Sequence, residues 1–222
     1  MLASSLNKNS VVVKNSVLRN TYWLLALTML PTILGAYLGV TMGLPAISGW
    51  GFLAMFVVVI GFVFAIQALR NSIMGIPVLL IFTGLMGAML TPLLTKTLAY
   101  SNGTELIMLA FGGTAAIFAS LASYATVTKT NYSGMGKYLF IALIALIVAG
   151  IANIFLQIPL LAVAFSAIAM VIFSLYIVYD VQQIVNGGET SYISATLSLY
   201  LDVLNIFTSL LHLLGFGFGD DD

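Results

Sequence analysis

The chain has no cysteine, one histidine and five prolines among 222 residues, and only 6% of it is charged. Without cysteine there is no disulfide, no thiolate nucleophile and no thiolate-held metal. One histidine alone makes a zinc site unexpected, and the chain has neither a His-Glu-x-x-His pair nor a Gly-x-Ser-x-Gly elbow. Catalysis is not indicated, and no cofactor is expected. A soluble domain carries about 25% charged residues, so this chain falls outside that class. Seven basic and seven acidic side chains cancel, which leaves no electrostatic footprint for nucleic acid. The first 18 residues are polar and lack an apolar core ending in a small-residue cleavage site. A cleaved signal peptide is therefore not expected, and the first span serves as its own insertion signal.

What the chain does have is apolar surface: 61% of it is hydrophobic, with a mean hydropathy of +1.14. Apolar runs long enough to cross a bilayer recur along its length. The expected fold is all-α, a polytopic membrane protein with spans near residues 21–42, 50–69, 73–94, 105–127, 138–157, 159–183 and 192–214. These make one seven-helix domain (residues 20–216), with a polar arm before it (1–19) and a short acidic tail after it (217–222). Pro31, Gly35 and Gly39 are expected to loosen the first span. Pro45 marks the turn at 44–49, and polar loops are expected at 96–104 and 129–137. Gly112, Ala116 and Ser120 recur every fourth residue, a small face that lets a neighbouring backbone approach. Spans five and six meet at Pro159 almost without a loop, which makes them a tight hairpin. Alternating the seven spans puts Lys8, Lys14, Arg19, Arg70, Lys129 and Lys137 on one side and only Lys96 on the other. That bias predicts a cytoplasmic N-terminus and a C-terminus outside.

The seventh span, YISATLSLYLDVLNIFTSLLHLL, carries Asp202, Asn205, Ser209 and His212. At about 100° per residue these four fall within an arc of about 80°, together with Ser194 and Ser198. A carboxylate at mid-membrane costs about 2.5–3.5 kcal/mol on insertion scales, so this stripe points into protein or water. The helix is expected to be central, walled by the others. Asp202 is its functional centre, and Ser198, Asn205 and Ser209 form a supporting hydrogen-bonding seam. His212 lies near the opposite membrane face and reads as a packed or interfacial residue. Asn153 and Gln157 read as interhelical hydrogen-bond groups, and Tyr22, Trp23 and Trp50 as interfacial anchors.

Asp180, late in span six, is the second charge in the membrane. If the turn between the last two spans is centred near residue 191, the two aspartates stand at one depth. If it is centred on Gly187 and Gly188, they are offset by about 7 Å at 1.5 Å per residue. Two carboxylates close together in low dielectric cannot both ionise cheaply, so such a pair titrates as a unit and senses protons. When both are ionised, repulsion favours separation or the binding of a cation. Arg70, at the end of span two, is the natural counter-charge. Ca²⁺ wants six to eight oxygens, so two carboxylates with carbonyls and water make a weak, leaky site at Asp180 and Asp202. The plainer alternatives are a solvated interfacial carboxylate for Asp180, a structural role for Asp202 and a positive-inside role for Arg70.

The chain resembles the Bax inhibitor family of seven-span membrane proteins, in its bacterial YccA-like branch. The likeness covers nearly the whole chain. It rests on VLRNTYWLL (17–25), TGLMG and TPLL (83–87, 91–94), AFGGTAAIF (110–118), ANIFLQIP (152–159), and above all the stretch from 186 to 216 beginning NGGETSYISATLSLYLDVLNIF. It implies two three-helix layers around a central C-terminal helix, in a bacterial inner membrane. It implies two activities: a pH-sensitive latch of Asp180, Asp202 and Arg70 over a calcium-leak pathway, or restraint of the membrane AAA protease FtsH without transport. The polar N-terminal arm is the expected protease contact.

One enzymatic alternative has a textual signal. Tyr179-Asp180 and Gly217-Phe-Gly-Asp220 look like the two motifs of intramembrane aspartyl proteases. In the expected topology the two aspartates lie toward opposite sides of the membrane, which opposes that chemistry.

Overall fold

The computed structural model describes residues 2–44 and 50–219. The expected turn around Pro45 and the acid groups Asp220–Asp222 lie outside the described residues, as do the side chains of Lys8, Lys14 and Trp50. Regular structure among the described residues is helical: α1 (Leu2–Thr41), α2 (Trp50–Ala68), α3 (Gly75–Met89), α4 (Thr91–Leu98), α5 (Gly103–Val127), a 3-10 turn (Ser133–Met135), α6 (Gly136–Leu156), α7 (Pro159–Asn186) and α8 (Tyr192–Phe218). Six stretches are long and apolar enough to cross a membrane, and the shorter apolar helix Ala54–Ala68 accompanies them. The polar arm is continuous with the first span, since α1 already begins at Leu2.

The third span departs from the expected single helix. It breaks between α3 and α4 at Leu90. Pro92 has no N–H to offer the Ala88 carbonyl, and its ring crowds that oxygen. The Thr91 hydroxyl donates to the same carbonyl at 2.6 Å, and the Leu90 N–H tightens onto Gly87 at 3.0 Å. Beyond the break the chain stays helical to Leu98, so Lys96 and Thr97 belong to α4 and not to a polar loop.

The described chain divides into two compact units, residues 1–92 with 183–200 and residues 93–182 with 201–222. In the first, α1 packs on α3 through backbone contact. A Cβ at Gly35 would strike the Gly84 carbonyl, and one at Gly87 would strike the Thr32 carbonyl. Gly35 and Gly39 therefore act as a close-packing face, not as the loosening elements expected. The first half of α8 is tied into this unit by hydroxyls. Tyr200 is fully buried, with its hydroxyl 2.9 Å from that of Thr32 and donating to the Thr83 carbonyl at 3.2 Å. Its ring meets Phe82 edge-on at 6.3 Å. Thr196 reaches the Thr21 carbonyl at 3.3 Å, and Ser194 donates to the Gln67 side chain at 3.1 Å.

In the second unit, α6 and α7 are joined by Gln157 and Ile158 alone, the tight hairpin the sequence predicts. Gln157 takes the left-handed conformation, φ 52°. The Asn153 side chain accepts the Ile158 N–H at 3.3 Å. Asn153 thus caps its own helix end where an interhelical bond was expected. The α5 face also differs from expectation. Gly112, Ala116 and Ser120 are exposed, and a Cβ at Gly112 would meet nothing within 4 Å. The packed face, turned around the helix, holds Ala110, Thr114, Ala122 and Ala125, and a Cβ at Gly113 would come 2.8 Å from Leu210.

Candidate functional site

The site is built by the way α7 hands over to α8. Helix α7 closes on Gly187, whose φ of 79° suits glycine, and the Gly188 and Glu189 N–H groups donate to the Gln183 carbonyl at 2.8 and 3.0 Å. The Glu189 carboxylate accepts the N–H groups of Thr190 and Ser191 at 2.8 and 2.7 Å. The Ser191 hydroxyl accepts the Ser194 N–H at 3.3 Å and donates to the Arg70 carbonyl at 2.6 Å, which opens α8 with an N-cap.

This connection decides the depth of the two aspartates. Asp180 lies six residues before the end of α7, and Asp202 ten residues after the start of α8. Four residues of helix are about 6 Å. The carboxyls meet. Asp180 acts on Asp202 both through its charge and through a side-chain hydrogen bond, and Tyr176, one turn back on α7, feels the charge of both aspartates. Asp202 is buried, 4% exposed, and its Oδ2 is enclosed with no N–H or O–H donor of the described residues reaching it. A hydrogen bond between two carboxyl groups contains one proton, because an ionised carboxylate only accepts.

Beside the pair, Gln182 holds the loop between α5 and α6. It is buried, its amide N–H donates to the Thr130 carbonyl at 2.7 Å, and its oxygen accepts the Tyr132 N–H at 2.8 Å. A Cβ at Gly136 would come 2.6 Å from the Tyr179 hydroxyl, so the start of α6 lies directly against α7 next to Asp180. In the sequence Gln182 belongs to no motif, and only its position, two residues beyond Asp180, marks it.

The other expected site residues divide. Arg70 belongs to the first unit, and its side chain is exposed. Ser198 is half-buried and Ser209 buried. Asn205 donates to the Leu201 carbonyl of its own helix at 2.7 Å, so at that position the expected seam turns inward on α8. Among the described residues, no three histidines, cysteines or carboxylates gather closely enough to hold a metal ion.

A sequence profile described as inhibitor of apoptosis-promoting Bax1 matches residues 14–219. The chain belongs to the Bax inhibitor family. Full-length relatives agree with this membership. An uncharacterized membrane protein of Vibrio cholerae is 40% identical over 90% of this chain and 89% of its own. The Escherichia coli protein YccA, a modulator of FtsH protease, is 36% identical over 99% of both chains. A Pseudomonas aeruginosa protein is 39% identical over 93% of this chain and 92% of its own. This family member is a polytopic membrane protein, and its Asp180–Asp202 pair sits on its two last spans.

Proposed function

We propose that the chain is a proton-sensitive cation leak of the bacterial inner membrane, with Asp180 and Asp202 as its latch and Ca²⁺ as the cargo. The observation that carries this reading is the hydrogen-bonded carboxyl pair with one enclosed oxygen on Asp202. With one proton between them the two carboxyls bind each other. With none, like charges in a low dielectric repel, and the pair either parts or takes up a cation. A cation held by only two protein carboxylates is held weakly, which suits passage and not storage. Calcium flux into proteoliposomes, measured across about pH 5 to 8, a range wide enough to titrate a coupled pair, tests it. The native protein passes calcium in a pH-dependent way, and Asp180→Asn and Asp202→Asn each flatten that dependence. A native protein that passes no calcium at any of these pH values ends the proposal.

A second reading rests on the full-length likeness to YccA, the modulator of FtsH protease. In it the chain restrains an FtsH-type protease through the α1 extension that precedes the first span. Removing residues 1–18 then abolishes co-purification with the protease while leaving the protein in the membrane. Unchanged co-purification overturns that assignment. The two readings are compatible, and neither involves catalysis by this chain.

A further inference from the structure

Toward the end of α8 remote from the aspartate pair, the second unit contains a cavity of about 310 Å³. His212 marks its place, ten residues beyond Asp202 and about 15 Å farther along the helix at 1.5 Å per residue. The lining is mixed in chemistry. Leu93, Val163, Leu211 and Phe216 are apolar, while Lys96, Asn153, Gln157 and His212 supply polar groups, joined by Tyr100 and by Thr97, whose hydroxyl donates to the Leu93 carbonyl at 2.9 Å. No acidic residue lines it among the described residues.

Lys96 is exposed and close enough to His212 for its charge to act on the ring. Ser166 donates its one hydroxyl proton to the Ala162 carbonyl at 2.9 Å, so at its 3.1 Å contact with His212 Nδ1 the serine oxygen accepts. The imidazole is thereby fixed with its proton on Nδ1, and Nε2 is left as an acceptor. Asn153 uses its side-chain oxygen to cap α6, which leaves its NH₂ group as a donor. Gln157 adds a second amide from the joint between α6 and α7.

One cation, two amide donors, one imidazole acceptor and an apolar wall match an anion that bears a hydroxyl and is attached to hydrocarbon. We propose that this cavity binds the headgroup of an anionic glycerophospholipid. Its phosphate faces Lys96 and the amides, its hydroxyl donates to His212 Nε2, and its acyl region follows the apolar wall. Ligand pockets run from about 300 to 1,000 Å³, so this one takes a headgroup and not a whole lipid. A free phosphate would use the same cation and amides but leave the apolar wall uncovered.

Native mass spectrometry of the full-length protein, released from nanodiscs of mixed phosphatidylglycerol and phosphatidylcholine, tests the proposal. The native protein keeps phosphatidylglycerol several-fold over phosphatidylcholine. Lys96→Gln loses that preference, Lys96→Arg restores it, and Lys129→Gln, which removes an exposed charge elsewhere, keeps it. In detergent, phosphatidylglycerol raises the native Tm and inorganic phosphate alone does not. A preference unchanged in Lys96→Gln, or lost equally in Lys129→Gln, overturns the site. A Tm rise with inorganic phosphate equal to that with lipid overturns the lipid assignment in favour of a soluble anion. The outcome is independent of the leak reading, because neither aspartate is altered.

Discussion

Asp202 and Tyr200 sit two residues apart on α8 and point about 200° apart around it at 100° per residue. Asp202 meets Asp180, while Tyr200 bonds α1 and α3 in the first unit. Removing the tyrosine hydroxyl deletes bonds to Thr32 and Thr83 but leaves Thr32 donating to the Thr28 carbonyl at 2.8 Å. Tyr200→Phe is therefore expected to cost about 1 kcal/mol, the usual net worth of a buried hydrogen bond, read as a lower unfolding midpoint in detergent. Calcium flux in that variant should keep its pH dependence, whereas Asp202→Asn should lose the dependence. The aspartates were legible in the sequence because a charge inside an apolar run is rare and costly. Tyr200, Thr196 and Gln182 were not. Their hydroxyl and amide groups are ordinary in membrane helices, and only the neighbouring carbonyls give them a role.

At the scale of the element, existence was easier to read than packing. Seven apolar stretches are enough to place the spans, and the short joint at Pro159 predicts a hairpin that the structure contains. Two errors share one cause, since both concern which way a helix faces. Gly35 meets the Gly84 backbone and Gly39 the Thr91 side chain, while the equally regular Gly112, Ala116 and Ser120 face outward. Period alone names a stripe but not its neighbour. The distinction is measurable. Gly87→Ala, which drives a methyl into the Thr32 carbonyl, is expected to destabilise by about 1–3 kcal/mol as an overpacked contact. Gly112→Ala is expected to be neutral or to stabilise by up to about 1 kcal/mol through helix propensity. Equal effects of the two in detergent unfolding would show that α1 and α3 do not approach at Gly87.

For the whole molecule, the absence of cysteine becomes an experimental asset. Any single introduced thiol is the only one in the chain. The uneven distribution of lysine and arginine predicts that Asn131→Cys is shielded from an impermeant thiol reagent in intact spheroplasts and that Gly217→Cys is labelled. The opposite pattern would reverse the orientation without disturbing the fold. It would also move the Lys96 cavity to the cytoplasmic side and bring the aspartate pair nearer the outer one.

The two-residue joint between α6 and α7 has a consequence for biosynthesis. Its flanking helices are strongly apolar, with mean hydropathies of 2.2 and 2.5, and the joint itself carries no charge. Neither helix can wait in water while the other enters lipid, because two residues span at most about 7 Å. They must leave the translocon as a pair. A lysine introduced at Gln157 would burden that shared step and not one helix alone, so its cost should appear as poor membrane insertion of the α6–α7 pair, before any effect on a finished protein.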